Sequence, residues 1–341
     1  MLKIDFPLNL PDISLKQVFS EDANLLHQQM NPLNVEAWQL SPGGFKGTSL
    51  RIATNKVQYA LDQHNSSVKF EGSPNAHWAL GIPVRPNPII FERKYELEDN
   101  YVMFSPPRSG FIGITRTSHA LYVLNFNCDY LNYLCETLQL PDPYKLLGHP
   151  NSGPGAFLCR SQQFQCLRQC CQQLEQSSLA LSYGNYQEKQ RLSIANCLKM
   201  ELEHKIASKL LLIIAQAQNI TPKKTIIRRS DILKQAEEYM LNNLHGEIYC
   251  TDISKAIGVS QRNLQDIFKH FYEITPKAYL KRLRLNHLRQ CLRKSSPKAN
   301  VWEFAEDLGF IHRGQLAQDY QQLFGELPSK TYRSIPAFLT N

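Results

Sequence analysis

The chain has 341 residues, of which 43% are hydrophobic, and a formal net charge of +8. That length fits two or three domains, and the apolar content excludes a fully disordered chain. The longest unbroken aliphatic run, Leu210 to Ala215, is far short of the ~20 residues that span a bilayer, which excludes a helical membrane protein. The opening stretch MLKIDFPLNLPD has acids and prolines where a signal peptide carries an apolar run. Nine irregularly spaced cysteines read as reduced thiols, so a cytoplasmic location is expected.

The charge is unevenly placed. Residues 1–219 hold 19 Lys+Arg against 18 Asp+Glu, whereas residues 220–341 hold 19 against 12. A neutral body with a basic end suggests a sensor joined to a nucleic-acid binder.

In chain order, residues 30–125 read as a β domain. Short apolar stretches recur at Glu36–Leu40, Thr48–Ile52, Val57–Leu61, Val68–Glu71, Trp78–Val84, Ile89–Phe91, Tyr101–Phe104, Phe111–Thr115 and Leu121–Phe126. Turn residues separate them, as in a sandwich or barrel. The pattern turns helical after Cys128, with helices expected over Asp129–Leu138, Ser161–Gln176 and Gln187–Gln218 and a loop from Tyr144 to Ala156. The third helix carries an apolar stripe, Leu192, Ala195, Leu198, Leu202, Ile206, Leu210 and Ile213, at spacings of three and four. Either the β domain or a second copy of the chain must cover it. Residues 1–219 therefore form the expected sensor or dimerisation domain. A linker follows at 220–229, then a helical domain at 230–334 and a tail at 335–341.

The basic third contains an internal repeat. Ile253 to Val259 aligns with Phe304 to Phe310 at an offset of 51. The offset then becomes 52, pairing Leu264 with Leu316, Phe268 with Tyr320 and Pro276 with Pro328. Each copy has the layout of a helix-turn-helix: a short helix with an apolar residue and an alanine (Ile253/Ala256, Phe304/Ala305), a glycine for the turn, an apolar plug and a second helix. Ser260 suits the N-cap of the first of these second helices, while Ile311-His312 fill that place less well. Their inner faces carry Leu264 and Phe268, or Leu316 and Tyr320. The outer faces show Gln261, Arg262, Gln265 and Lys269 in one copy and Arg313, Gln315 and Gln318 in the other. Arginine and glutamine can make bidentate contacts with base edges. A helix over about Pro276–Leu292 should join the copies; it carries Lys277, Lys281, Arg282, Arg284, Arg289, Arg293 and Lys294, some of which could neutralise phosphates, with Lys281 the candidate DNA contact.

Val301 to Arg333, with its A…GF…L…Y…FGxxP…YR pattern, resembles the signature of the AraC/XylS regulators, and Ser260 to Leu285 resembles the other half. The resemblance covers about 110 residues. It implies an α+β multidomain fold: an N-terminal β-barrel or cupin-like domain with appended helices, then an all-α domain with two helix-turn-helix motifs. It also implies a regulator, more often an activator, with promoter DNA, RNA polymerase, a small-molecule effector and a second copy of the chain as partners. Glu273 stands where the second copy has Gly325, and Leu288 where the family has a small residue.

No other motif competes. Cys166, Cys170 and Cys171 offer neither CxxC nor a second cluster, and read as buried thiols. His64, His77 and His119 lack the H-x-H with a following Glu of a metal-bearing cupin, so no metal and no cofactor are expected. Trp38, Trp78, Phe104, Phe111 and Tyr122 could line an effector pocket or form plain core. Arg85 and Arg93 flank a Pro-rich turn where an anion could sit. The rival reading, an enzyme with its active site in the β domain, lacks a catalytic cluster.

Overall fold

The computed structural model of the chain describes residues 2–10, 12–28, 33–86, 88–116, 118–148, 152–295 and 300–333. The chain opens with β1 (Leu2–Leu10), β2 (Ile13–Ser20), α1 (Ala23–Gln28) and β3 (Asn34–Gln39). There follow β4 (Gly47–Ala53), β5 (Val57–His64), β6 (Val68–Ser73) and β7 (His77–Pro83). Next come β8 (Ile89–Phe91), β9 (Tyr95–Leu97), β10 (Tyr101–Ser105), β11 (Phe111–Thr115) and β12 (His119–Asn127). All nine expected strands are present. The N-terminal pair, β9, and the later β13 (Gly155–Leu158) and β14 (Gln218–Asn219) were not anticipated.

The strands form two antiparallel sheets, so of the expected sandwich or barrel it is the sandwich that forms. One is nine-stranded in the order β1-β2-β4-β5-β12-β7-β10-β13-β14, the other five-stranded in the order β3-β6-β11-β8-β9. Among the described residues no strand joins the ends of the large sheet, so the architecture is a sandwich.

Side-chain alternation assigns each face. On β12, Leu121 and Val123 point between the sheets, while Tyr122, Leu124 and Phe126 point to the opposite face of the large sheet. That opposite face is covered by α2 (Cys128–Thr137), α3 (Pro143–Leu147) and α4 (Ser161–Tyr183). It is also covered by a long rod made of α5 (Glu188–Met200), a π-helical turn (Glu201–Ile206) and α6 (Ala207–Ile214). The apolar stripe of this rod, from Ala195 to Ile213, packs into that core, so the β domain is its cover; Leu192 alone of the seven is exposed.

The helical third follows: α7 (Lys224–Asn242), α8 (Cys250–Ala256), α9 (Gln261–Tyr272), α10 (Pro276–Lys294), α11 (Val301–Asp307), α12 (Arg313–Phe324) and α13 (Pro328–Arg333). Most of the stretch expected as linker is the first part of α7. The tail at 335–341 lies outside the described residues.

The small sheet has both faces buried. Val35, Phe70 and Phe91 face the large sheet. Trp38, Leu40, Ile90 and Ile114 face the other way and share one apolar core with α7, α9, α10 and α12. The order of layers is helices, large sheet, small sheet, helices.

Ionic groups cross that last boundary. The Glu237 carboxylate on α7, 2% exposed, meets Lys69 Nζ of β6 at 3.3 Å. It also accepts from Arg93 Nε at 2.9 Å and from the hydroxyls of Tyr279 (2.8 Å) and Tyr272. Burial alone would raise this carboxyl; the charges of Lys69 and Arg93 and the phenol hydrogen bonds outweigh it and hold the pKa at about 2. Nearby, Asn286 and Gln39 exchange backbone-like hydrogen bonds: Gln39 N donates to Asn286 Oδ1 at 3.1 Å and Asn286 Nδ2 to Gln39 O at 3.0 Å.

A buried ion cluster broken on one side costs about 3–5 kcal/mol, because the remaining charges lose their partner out of reach of water. Glu237→Gln is therefore expected to lower unfolding free energy by roughly that amount at pH 7, measured by chemical denaturation. Because the folded carboxyl is depressed from 4.5 to about 2, its stabilisation is complete above the ordinary value and is lost as pH falls through about 2. The gap between wild type and variant should close across that acid window; a gap independent of pH would contradict the assignment.

Candidate nucleic-acid interface

Both turns of the repeat fold alike. Gly258 and Gly309 adopt φ of 68° and 74°. After each, an amide reaches back to the preceding helix: Val259 N to Ser254 O and Phe310 N to Ala305 O, both at 3.0 Å. These are six-to-one helix-ending bonds, and they require the left-handed residue that glycine supplies. They also correct one expectation. Ser254, not Ala256, occupies the place of Ala305; Ser254 and Ala305 are buried, and Ala256 is exposed.

The second helices start differently. Ser260 Oγ accepts from Asn263 N at 3.2 Å and caps α9. His312 makes no side-chain cap for α12. Leu264, Ile267, Phe268 and Phe271 bury one face of α9, and Leu316, Tyr320, Leu323 and Phe324 one face of α12. All eight residues singled out from the sequence, Gln261, Arg262, Gln265, Lys269, Lys281, Arg313, Gln315 and Gln318, are exposed. Their side chains are not equally free. The Arg313 guanidinium lies 4.9 Å from the centre of the Trp302 ring, which holds it flat at the start of α12. Asp319, 8% exposed, takes Lys281 Nζ at 2.8 Å and Gln315 Nε2 at 3.1 Å. Lys281 thus ties α10 to α12, a contact the sequence reading did not anticipate.

The arginines of α10 are also spoken for, contrary to the expectation that they face phosphates. Arg282 donates to Leu40 O across the domain boundary. Arg289 and Arg293 reach Asp22 Oδ2 at 2.7 and 3.1 Å, and Arg289 also reaches Glu326 at 2.8 Å. Arg284 donates to Leu244 O at 3.1 Å and to Gly246 O and so supports the fold. Arg93 is held by Glu237, while Arg85, the other arginine of that expected pair, is exposed.

A cavity of about 60 Å³ lies between the two sheets. Phe70, Phe104, Phe111 and Val123 form its apolar wall, and Asp62, His27, His64 and His119 its polar end. Trp38, Trp78 and Tyr122 are core elsewhere. Burial lowers the pKa of all three histidines, that of His119 to about 3, so they are neutral. His64 Nδ1 donates to Ser66 O at 2.9 Å and His27 Nδ1 to Ala23 O at 2.8 Å, because a carbonyl can only accept. Each Nε2 is then a bare acceptor. His64 Nε2 and both Asp62 oxygens have no hydrogen-bond partner among the described residues; Asp62 has only an ion pair with Arg51 at 3.8 Å. His27 and the triad's proximity were not legible in the sequence, since the three rings come from separate elements. Among the described residues no cluster of His, Cys, Asp and Glu has metal-binding geometry.

Comparison with known proteins supplies relatives. A helix-turn-helix domain family matches residues 253–334. A XylDLEGF operon transcriptional activator of Pseudomonas putida is 33% identical over 131 residues, 38% of this chain and 39% of that protein. The XylDLEGF operon transcriptional activator 2 of the same species is 30% identical over 129 residues, 37% of this chain and 79% of that protein. A crystal structure of a probable AraC family transcriptional regulator from Rhodopseudomonas palustris is 32% identical and covers 31% of this chain and 99% of that one, with a TM-score of 0.29. The match spans about two-fifths of the length of the first of these activators.

Glu273 ends α9 at φ 60°, in the left-handed region that Gly325 occupies at the end of α12. A side chain costs about 1 kcal/mol or more there. Glu273→Gly should therefore raise stability by about 1 kcal/mol, less a small loss of its 3.9 Å contact with Arg116. Thermal denaturation measures this; a destabilised variant would mean the Arg116 contact outweighs the backbone strain.

Proposed function

The chain belongs to the AraC/XylS family of helix-turn-helix transcription regulators, and from that premise we propose that it binds promoter DNA through α9 and α12 and responds to a small effector held between its two sheets. The observation that carries the reading is the pair of helix-turn-helix units, alike at their glycine turns and each with a polar, exposed outer face. In this reading residues 1–219 sense and residues 230–334 bind DNA. Gln261, Arg262, Gln265 and Lys269 of α9 and Arg313, Gln315 and Gln318 of α12 meet the duplex, the arginines reading base edges. Lys281 contributes less than its charge suggests, because Asp319 neutralises it. Activation through RNA polymerase, pairing with a second copy and action in the cytoplasm complete the proposal. No helix among the described residues is long and apolar enough to cross a membrane.

The effector end of the proposal can be made chemical. The polar end of the cavity offers acceptors: the Asp62 carboxylate and the Nε2 atoms of His64 and His27. A ligand satisfies them by donating hydrogen bonds, as an alcohol or amine does. A carboxylate would bring a third set of acceptors beside Asp62, and its burial there is repelled. At about 60 Å³ the space suits a small molecule, and a larger one must displace the phenylalanines of the wall.

Two measurements test this. Arg262→Ala and Arg313→Ala should each cost about 1–3 kcal/mol on the operator and relax discrimination at one or two base pairs. The affinity of the wild type should fall steeply with salt. Titrations against operator and scrambled duplex at two salt concentrations read both; equal losses on the two duplexes would mean that the arginines touch only the backbone. For the cavity, thermal shift is compared across butanol, butylamine and butyrate, which share one hydrocarbon tail. The alcohol or the amine should raise the melting temperature more than the acid; stabilisation by butyrate alone would overturn the donor preference.

A further inference from the structure

Three side chains in the helical layer of the N-terminal domain have no part in the reading above. Cys166 and Cys170 lie one turn apart on α4, and Lys209 faces them from α6. Lys209 Nζ is 3.1 Å from Cys166 Sγ and 3.3 Å from Cys170 Sγ. Among the described residues these two sulfurs are its only hydrogen-bond acceptors, and no carboxylate pairs with it. The neighbouring Lys205, by contrast, is taken by Glu201 at 3.0 Å. Cys166 is exposed and Cys170 is buried. The sequence reading of these thiols as uniformly buried is therefore corrected for Cys166.

We propose that Cys166 and Lys209 form an oxidation site, in which a hydroperoxide oxidises the Cys166 sulfur and the Lys209 nitrogen then closes a covalent S–N bond between α4 and α6. The arrangement has what such a site needs: a sulfur open to solvent, an ammonium within hydrogen-bond reach to protonate the leaving oxygen, and a nitrogen in place to capture the oxidised sulfur. The pairing is also visible from the lysine. Its pKa is raised, first by the hydrogen bond to the Cys166 sulfur, against the opposing effect of burial.

The steps balance. The Cys166 thiolate attacks one peroxide oxygen and the O–O bond breaks. The departing hydroxide takes a proton from the Lys209 ammonium and leaves as water. Sulfur is now a sulfenic acid, oxidised by two electrons, and the peroxide is reduced. Lys209 is left as a neutral amine beside it. The nitrogen lone pair attacks the sulfenic sulfur, the S–O bond breaks, and the hydroxyl leaves as a second water with a proton from nitrogen. Cys170 is a poorer partner for Cys166. Side chains four apart on a helix hold their Cβ atoms about 5–6 Å apart, whereas a disulfide needs about 3.5–4.5 Å. Closing it would unwind a turn of α4, while the lysine stem swings without disturbing either backbone.

Cys197 supplies an internal control, because it is exposed like Cys166 and no lysine hydrogen-bonds it among the described residues. The full-length reduced protein is treated with one equivalent of hydrogen peroxide. Sulfenic acid is trapped with a 1,3-dione, remaining thiols are alkylated, and peptides are mapped by mass. Cys166 should react about tenfold faster than Cys197 or more, because the Lys209 ammonium beside it protonates the departing hydroxide as a general acid. Without the trap, the peptides holding Cys166 and Lys209 should be recovered joined, with the loss of two hydrogens. Lys209→Met should bring the Cys166 rate to that of Cys197 and abolish the joined peptide. Equal rates for the two cysteines of the wild-type protein would overturn the site, a comparison that needs no variant to fold. Recovery of a Cys166–Cys170 disulfide in place of the joined peptide would overturn the role of the lysine.

Discussion

Glu237 carries a negative charge where almost no water reaches, and the arrangement of the molecule follows from how that charge is answered. Its two cationic partners come from β6 and from the turn after β8, and its phenolic partners from α9 and α10. A carboxylate in such a place is tolerable only when all of these arrive together. The small sheet is thereby fixed against the helices that carry the first helix-turn-helix, with Trp38, Leu40, Ile90 and Ile114 filling the space around the ions. The joining helix α10 is held to the same sheet through Asn286 and Gln39, and the second helix-turn-helix through Gln39 Nε2, which donates to Leu323 O of α12 at 2.7 Å. The two helix-turn-helix units thus share one platform.

That platform explains why the sheet domain is open rather than closed. A barrel would have to bend the small sheet round and bury only its inner face. Here the outer face carries large apolar residues that need cover, and the helical domain supplies it. The turn between β8 and β9 shows the cost of the arrangement. Glu92 and Arg93 both adopt positive φ, 52° and 53°, in a place where Asn-Gly is the comfortable choice. Arg93 in that strained turn reaches Glu237. The Glu92 carboxyl beside it is pushed up by burial to about 7, although it accepts a hydrogen bond from Ile112 N at 2.7 Å.

Local patterns in the sequence reported local structure well. Alternation of apolar residues found nine strands, and the repeat located both helix-turn-helix units to within a residue or two. What was missed lacked a local signal or carried one that pointed elsewhere. The β9 and β14 strands are three and two residues long and exist only because a neighbour offers its edge. The buried residues Ile13, Leu15 and Val18 of β2 are spaced two and then three apart, so the simple alternation that marks a strand is broken there. The arginines of α10 show a deeper limit. Helical periodicity says which residues share a face, yet it cannot say whether DNA or another domain lies against that face. Arg289 and Arg293 find Asp22 more than 260 residues away, and no spacing rule connects them. The polar end of the cavity is hidden for the same reason, its histidines being gathered from α1, β5 and β12.

The separation between Arg93 and Glu237 has a consequence for how the chain is made. The two lie 144 residues apart. At about 5–20 residues per second a ribosome needs roughly 7–30 s to reach the acid after it has made the base. For most of that interval the strands of the small sheet are all made, but Arg93 waits for Glu237, Lys69 has only Glu71 at 3.7 Å, and the outer face of Trp38 and Ile90 has no cover. The nascent sheet domain is therefore a half-built surface, apolar and carrying the unanswered charge of Arg93. The helical domain is made after that surface, and it arrives as its lid.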